Sequence, residues 1–249
     1  MSKRPGGPRI LFLDIENTPV LGFTWGIFEQ TVIDVLEDWY MLSFAYRWEG
    51  ERRVTVRSLP DYPGFKKNPK CDRALVKELH QLISSCDILI AHNAPFDVKK
   101  STARMLYHKL KPPPPFRTID TLAILRKHFK LTSNKLDSAC GALGLGRKIP
   151  HTGKHLWLGC MRGDRKSFAK MRRYNAHDVA LLSALFAYIK PWATNIPNLN
   201  LYTGGHGCPS CQSNNIVKSG KSYARSVIRQ RYHCKDCGSW HAGERIKRT

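Results

Sequence analysis

Long apolar runs are absent from this sequence. The richest one, VALLSALFAYI at residues 179–189, falls well short of the ~20 residues that a membrane-spanning helix requires. The first ten residues, MSKRPGGPRI, carry charge but lack the apolar core of a secretory signal. We therefore expect a cytoplasmic protein with no membrane partner, which begins with a short, flexible basic tail at residues 1–8.

Acidic residues are scarce. Nineteen Asp and Glu stand against 41 Lys and Arg, a net charge of +22, of which +15 falls in residues 1–200 and +7 in residues 201–249. Such a balance favours polyanionic partners, above all nucleic acid, through phosphate contacts and counterion release. A basic but inert surface is the alternative, and charge alone names no function.

Paired cysteines are missing from the first 200 residues. Four cysteines are scattered singly there, as reduced, packed thiols would be: Cys71, Cys86, Cys140 and Cys160. The other four form CPSC and CKDC, separated by 22 residues: Cys208, Cys211, Cys234 and Cys237. In a chain without a secretion signal, this spacing predicts one structural Zn²⁺ held by four thiolates rather than disulfides. Two unligated pairs in a reducing cytosol are the alternative.

Strand-like and helical segments follow one another along the chain. Four segments read as strands: RILFLDIEN, YMLSFAYRW, RRVTVRS and DILIAHN. Five read as helices: RALVKELHQLIS, FDVKKSTARMLYHKL, TIDTLAILRKHF, SNKLDSACGALG and residues 164–190. This order predicts an α/β fold, a mixed sheet flanked by helices. Between the first two strands, we expect Phe23, Trp25 and Phe28 to pack over the core, with a ligand contact as the alternative.

Four acidic residues lie on predicted strands and helices that could bring their carboxylates together. Side chains alternate along a strand, so Asp14 and Glu16 project from one face of the first strand's end. Asp97 sits where an apolar strand turns into a helix, and Asp178 lies on the late helix. Each has an ordinary alternative, a surface acid or a helix-terminus charge. Together they could hold two divalent cations ~3.5–4 Å apart, and oxygen ligands favour Mg²⁺ or Mn²⁺ over zinc.

Three short motifs carry a family resemblance. DIE, HNAPFD and YNAHD resemble, in order, the motifs of the DEDD-type 3′–5′ exonucleases, which have a ribonuclease H-like fold. The resemblance covers roughly residues 9–190. One branch of that family has Tyr-x-x-x-Asp in its third motif and the other has His-x-x-x-x-Asp. Tyr174 matches the first branch, whereas Arg173 stands at the position that the second requires, so His177 does not match the family's catalytic histidine.

The resemblance implies roles for individual residues. Asp14, Glu16 and Asp178 would hold the ion that binds the nucleophilic water, and Asp97 would lie beside a second ion that Asp14 also reaches. Tyr174 would orient the water, since an unperturbed pKa of ~10 makes tyrosine a poor base. Four further residues are substrate candidates: Asn17 and Thr18, where the family often has threonine, and His92 and Asn93, for which buried hydrogen bonds are an equal alternative.

The C-terminal segment has its own resemblance. Its cysteine pairs and the text between them resemble zinc ribbons of insertion-sequence transposases. Basic residues and two tyrosines lie between the pairs: Lys218, Lys221, Arg225, Arg229, Arg231, Tyr223 and Tyr232. Basic side chains interleaved with aromatic ones suit phosphate attraction with base stacking. A stabilising appendage or a protein-docking module is the alternative.

These observations together predict a function and a domain plan. We expect an exonuclease domain at residues 9–190, a Pro/Asn/Gly-rich linker at 191–206 and a zinc ribbon at 207–249. The predicted activity is two-metal 3′–5′ hydrolysis, with DNA favoured over RNA, acting alone or serving a separate DNA polymerase or replisome component. An exoribonuclease and an inactive nucleic-acid-binding adaptor are the alternatives.

Overall fold

A computed structural model describes residues 6–28, 31–150, 152–194 and 196–246. Residues 1–5 of the predicted tail and 247–249 of the predicted ribbon therefore lie outside the described residues. The described strands are β1 (Ile10–Asn17), β2 (Leu21–Phe23), β3 (Asp34–Glu37), β4 (Met41–Trp48), β5 (Thr55–Ser58), β6 (Ile88–Ala91), β7 (Arg117–Asp120), β8 (Ile216–Tyr223), β9 (Ile228–Cys234) and β10 (Trp240–Arg245). The α-helices are α1 (Arg73–Ser84), α2 (Ala94–Tyr107), α3 (Thr121–His128), α4 (Leu136–Ala142), α5 (Lys154–Met161), α6 (Arg165–Ile189) and α7 (Asn200–Thr203). Short 3-10 helices cover Leu59–Asp61, Pro63–Lys66 and Lys190–Trp192.

The main sheet has five strands in the order β5-β4-β1-β6-β7. β1, β4 and β5 pair antiparallel, whereas β6 and β7 run parallel to β1. The parallel pairing follows from the helical crossovers through α1 and α2, which return the chain to the same end of the sheet. The predicted mixed sheet flanked by helices is confirmed.

β1 is the centre of this sheet and is covered on both faces. Leu11, Leu13 and Ile15 face one hydrophobic cluster, which includes residues of α1 and β4. Ile10 and Phe12 face a second cluster, to which α6 contributes several side chains. The odd and even positions of one strand therefore enter two different cores. Asp14 and Glu16 continue the even-numbered face, the one that α6 covers.

One predicted helix is wrong in part. TIDTLAILRKHF begins not as a helix but as β7, where Ile119 is buried beside β6. Asp120 then starts α3, its carboxylate accepting the backbone N–H of Leu122 at 2.9 Å. A four-residue strand that runs directly into a helix shows no alternation of its own, so the helical period that follows it dominates the pattern.

The segment between β1 and β4 is a hairpin of β2 and β3, and the expectation that its aromatic residues pack over the core is wrong. Phe23, Trp25 and Phe28 are 57%, 84% and 91% exposed. In the described residues, the two strands form a sheet of their own. Apolar composition predicted burial, but burial needs an opposing surface, and local sequence does not supply one.

The C-terminal strands form a separate antiparallel sheet in the order β10-β9-β8. The segment before it is structured, since it contains α7, and Leu199 is only 5% exposed within the second cluster. The backbone N–H of Leu199 also donates to the carbonyl of Pro209 at 2.8 Å, joining this segment to the cysteine-bearing loop. The three domain boundaries remain predictions.

Candidate active site

Three of the four predicted acids meet at one edge of the main sheet. Asp14 and Glu16 project from the even-numbered face near the end of β1, and Asp178 reaches them from α6, which packs across that face. One carboxylate oxygen from each residue lies within 4.8 Å of the others. The convergence follows from the topology, because the end of the central strand and the middle of α6 are neighbours.

The fourth acid, Asp97, lies against the same strand. It is buried in the first turn of α2, and its Oδ1 accepts the backbone N–H of Ile15 at 3.2 Å. Ile15 stands between Asp14 and Glu16, so this hydrogen bond holds Asp97 beside the pair. The group of oxygens within 4.8 Å does not include Asp97.

The acids lie close together, with Asp97 and Asp178 buried and Asp14 and Glu16 partly buried. Burial raises the pKa of Asp14 to about 7, and the nearby Asp178 adds to that rise. Burial likewise raises the pKa of Glu16 and that of Asp97, and in both cases Asp14 reinforces the effect. Asp178 Oδ1 is buried with no hydrogen-bond partner among the described residues. An all-oxygen set with excess negative charge and an unpartnered oxygen fits divalent cations such as Mg²⁺ or Mn²⁺.

A lysine that sequence reasoning missed enters this site. Lys148, in the loop between α4 and α5, places its Nζ 2.5 Å from Asp178 Oδ2 and 2.9 Å from the Tyr174 hydroxyl. Burial alone would lower the pKa of Lys148, but Asp178 and Tyr174 outweigh it and raise the pKa. Lys148 is thus a charged internal partner of Asp178. No sequence motif identifies Lys148, because its loop has no hydrophobic periodicity and lies outside the three family motifs.

Two further side chains that the sequence left unassigned orient the acids. Asn175 is fully buried, and its amide donates to Asp14 Oδ2 at 2.5 Å while its carbonyl accepts the Ser43 hydroxyl at 3.0 Å. Trp157 on α5 donates from its indole Nε1 to Glu16 Oε2 at 3.2 Å. Asn175 lies inside YNAHD, so its position in the motif was the available signal. For Trp157 there was none.

Tyr174 and His177 have different surroundings, as their spacing on α6 predicts. Tyr174 shares a face with Asp178, and both contact Lys148. Burial and Asp178 raise the pKa of Tyr174 to about 12, so it keeps its proton at neutral pH. His177 Nε2 instead lies 2.7 Å from the backbone carbonyl of Arg147, where it supports the loop that carries Lys148.

Comparison with known proteins places this site in a family. A family model described as the RNase H superfamily matches residues 11–190, a span that includes the four acids and Tyr174. The chain belongs to the RNase H superfamily. No curated protein matches it. Membership in this superfamily suggests a nuclease that acts on nucleic acid.

A cavity of about 630 Å³ adjoins Glu16 in this RNase H-like domain. Its lining includes Asn17, Thr18, Phe96, Lys100, Lys154 and Trp157. The Thr18 hydroxyl already accepts the Tyr40 backbone N–H at 2.9 Å. The side-chain amide of Asn17, in contrast, has no hydrogen-bond partner among the described residues for either its donor or its acceptor atom. Both atoms are buried, so this amide is not exposed to the cavity, and substrate contacts by Asn17 and Thr18 remain predictions.

His92 and Asn93 have structural surroundings. His92 Nδ1 lies 2.9 Å from the Thr121 hydroxyl, and its Nε2 lies 3.0 Å from the Asn134 carbonyl, so both ring nitrogens have protein partners. Asn93 takes a left-handed conformation (φ 70°) where β6 turns into α2, and its N–H donates to Asp120. For His92, these contacts favour the buried hydrogen-bonding alternative. Substrate contacts by either residue stay untested.

The four C-terminal cysteines converge as their spacing predicts. Their sulfur atoms lie within 4.8 Å of one another, with Cys208 Sγ 3.7 Å from Cys237 Sγ and Cys211 Sγ 3.6 Å from Cys234 Sγ. Four thiolates bound tetrahedrally at ~2.3 Å from zinc would be about 3.8 Å apart. The cluster therefore fits one Zn²⁺ in a closed, structural site.

The basic residues of this region lie at its surface. Lys218, Lys221, Arg225, Arg229 and Arg231 are all exposed, whereas Tyr232 is half-buried and stacks on His241 at 5.4 Å between ring centroids. Arg231 also lies over the Trp240 ring at 4.9 Å.

None of the described helices combines the length and the apolar character needed to cross a bilayer.

Replacing Asp14 by Asn should stabilise the protein when Mg²⁺ and Mn²⁺ are absent. The pKa of Asp14 is about 7 in the folded protein against an ordinary 3.8, so the folded state loses stability as pH rises from about 4 to 7. Asp14→Asn removes that loss while its carbonyl can still accept from Asn175. We expect a gain of up to about 4 kcal/mol in the free energy of unfolding at pH 8 and little at pH 4.

Urea unfolding of zinc-loaded protein, freed of other metals, measures this difference. The exposed Glu51 supplies a control, Glu51→Gln, which should leave stability unchanged at both pH values. A gain for Asp14→Asn that is the same at pH 4 and pH 8 would contradict the assignment of the raised pKa to this carboxylate.

Removing Lys148 should strengthen Mg²⁺ binding. Its ammonium group is bonded to Asp178 Oδ2, so a cation that uses this oxygen must displace it. We expect Lys148→Met to lower the Mg²⁺ dissociation constant about tenfold, as measured by calorimetry without substrate. Arg147→Met is the matched control, since the Arg147 side chain is 68% exposed and pairs with Asp137. Unchanged or weaker Mg²⁺ binding in Lys148→Met would show that Lys148 does not compete for the site.

Proposed function

We propose that this protein is a metal-dependent 3′–5′ exonuclease of the tyrosine branch. The observation that carries the proposal is the joint position of Asp14, Glu16 and Asp178, with Tyr174 on the same face of α6 and Asp97 held beside the strand. An inactive adaptor would have no need to bury acids beside one another. The cost of that arrangement, first from burial and then from charge repulsion, raises the pKa values of Asp14, Glu16 and Asp97.

Each residue has a role in this proposal. Asp14, Glu16 and Asp178 would hold one cation, and Asp14 with Asp97 a second. When bound, the two cations supply a hydroxide nucleophile at neutral pH and neutralise charge on the phosphate. Tyr174 orients the attacking water by a hydrogen bond and is not its base, since its pKa is about 12.

The cavity beside Glu16 supports action at a chain end. Its volume of about 630 Å³ falls within the ~300–1,000 Å³ range of small-ligand sites. Phe96 and Trp157 offer apolar ring surfaces for a base, and Lys100 and Lys154 offer cations for phosphate. A single terminal nucleotide suits such a site better than a continuous duplex does.

Digestion of end-labelled substrates tests the proposal. Single-stranded DNA, duplex DNA and RNA, each labelled at the 5′ end, should yield ladders that shorten from the 3′ end with Mg²⁺ or Mn²⁺, with DNA the better substrate. Asp178→Asn should abolish this cleavage and so exclude a contaminating nuclease. Internal cuts, or shortening from the 5′ end, would overturn the assignment, whereas RNA as the preferred substrate would keep the chemistry and change the substrate class.

We further propose that the C-terminal zinc ribbon binds nucleic acid. Its exposed basic residues support this role, as does Tyr223, which is 73% exposed on the same sheet. A protein-docking role is the alternative, and service to a separate polymerase or replisome component remains a prediction of the sequence.

Tyr174→Phe should slow the chemical step while it leaves nucleic-acid binding intact. Only the hydroxyl is lost, so the single-turnover rate should fall around 10²-fold, as expected for a group that positions water. Rapid-quench kinetics measure the rate, and oligonucleotide binding in Ca²⁺ measures affinity. Tyr188→Phe, on the same helix and 49% exposed, is the matched control and should leave the rate unchanged. An unchanged rate in Tyr174→Phe would make Tyr174 a packing residue.

Neutral substitutions on the ribbon should weaken binding to long single strands and reduce its salt dependence. Each phosphate contact contributes about −0.7 to the slope of log affinity against log salt, so Lys218→Gln with Lys221→Gln should flatten the slope by up to ~1.4. Lys109→Gln with Lys111→Gln, just after α2 and far along that helix from Asp97, is the matched control. Equal slopes in both double variants, measured by fluorescence anisotropy, would favour protein docking.

A further inference from the structure

The hairpin between β1 and β4 displays an unusual amount of apolar surface. We define the apolar hairpin as residues 19–38, of which 29 and 30 lie outside the described residues. Ten large apolar side chains in it are 42% or more exposed: Val20, Leu21, Phe23, Trp25, Ile27, Phe28, Val32, Ile33, Val35 and Leu36. Ile27 and Phe28 reach 91%. Apolar surface concentrated in this way marks an interaction site on a soluble protein.

The base of the hairpin is firmly anchored. The Thr18 N–H donates to the Tyr40 carbonyl at 2.9 Å, and the Thr18 hydroxyl accepts the Tyr40 N–H. Just beyond Tyr40, the Met41 N–H donates to the fully buried Asp72, which Arg104 also binds through two nitrogens at 2.7 and 2.6 Å. The exposed side chains are therefore presented on a supported strand pair.

Charge argues against nucleic acid as the occupant of this surface. Residues 10–46 contain no Lys, Arg or His, in a chain where Lys and Arg number 41. The apolar hairpin itself carries four acids: Glu29, Asp34, Glu37 and Asp38. Phosphates are repelled by such a segment, and base stacking on its aromatic residues would have to overcome that repulsion.

The same charge pattern favours a second copy of this chain. Two molecules of net charge +22 repel each other wherever their basic residues face. The apolar hairpin has no basic residues, so two copies that approach through it avoid the repulsion between basic surfaces.

Strand geometry supplies the complementary surface. β2 and β3 pair only with each other among the described residues, so the outer edge of each strand has unpaired backbone groups. A two-stranded sheet is marginal by itself and gains stability when further strands extend it. Two hairpins related by a two-fold axis can pair edge to edge and bury their apolar side chains, because a two-fold interface uses the same patch on both molecules.

We propose that the apolar hairpin is a self-association surface through which two copies of this chain form a two-fold dimer. The interface is apolar and joins like-charged molecules, so salt should strengthen it by screening their repulsion. Salt weakens nucleic-acid binding, and the two kinds of association therefore respond in opposite directions.

Sedimentation velocity of the full-length, zinc-loaded protein, freed of nucleic acid, tests the proposal over a range of concentrations at low and high salt. The wild-type protein should approach twice the 28.4 kDa of the chain, with a lower dissociation constant at high salt. Trp25→Ser with Phe28→Ser should raise that constant at least tenfold. Both side chains are exposed, so circular dichroism and melting temperature should match those of the wild type.

A matched control removes exposed apolar side chains elsewhere. Leu106→Ser with Leu201→Ser, at positions 78% and 83% exposed, should dimerise like the wild type. A wild-type protein that stays monomeric at both salt concentrations overturns the proposal. So does equal dimerisation of the hairpin variant, which would locate the interface elsewhere. If the wild-type protein is monomeric and the hairpin variant loses oligonucleotide binding, the proposal is overturned. The apolar hairpin would then be a nucleic-acid-binding surface.

Discussion

The burial of several carboxylates at one edge of the main sheet is the constraint on which the rest of this structure depends. Asp14 and Glu16 lie near the end of the central strand of the sheet, and α6 places Asp178 against them. Burial raises the pKa of Asp14 to about 7, and the nearby Asp178 adds to that rise, so the charged form of Asp14 is unfavourable in the absence of cations. A fold that keeps such a group together has a use for positive charge at that place, and the proposed chemistry is that use.

Neighbouring side chains show how the protein manages this charge. Asn175 binds Asp14, Trp157 binds Glu16, and Lys148 neutralises Asp178. Two of these partners come from α5 and the loop before it, and His177 secures that loop from α6. The loop, the helices and the acids thus form one connected network. A substitution of Lys148 removes a hydrogen bond from both Asp178 and Tyr174.

The protein combines surfaces of opposite character. Its overall charge of +22 draws it towards nucleic acid, while the acidic site offers no attraction to phosphate without cations. The apolar hairpin differs from both, with four acids and no basic residues, and it emerges from the same strand that carries Asp14 and Glu16. In this arrangement the basic surface attracts the substrate, the acidic site carries the proposed chemistry, and the apolar hairpin serves the proposed association.

Local sequence was enough to determine the elements whose signals are short-range. Two cysteine pairs at zinc spacing, alternation along β1 and helical spacing of Tyr174 with Asp178 each depend on neighbours within a few residues, so the mixed fold, the acids and the cysteine cluster were all predictable. β7 was not, because four residues are too few to show a period. Burial of Phe23, Trp25 and Phe28 was predicted wrongly, since burial depends on a surface that the local chain does not specify.

Lys148 reaches Asp178 across 30 positions of sequence, and Asn175 reaches Asp14 across 161. Only the tertiary structure decided those contacts, because a loop lysine or a helical asparagine acquires its partner from the packing of α6 on the sheet.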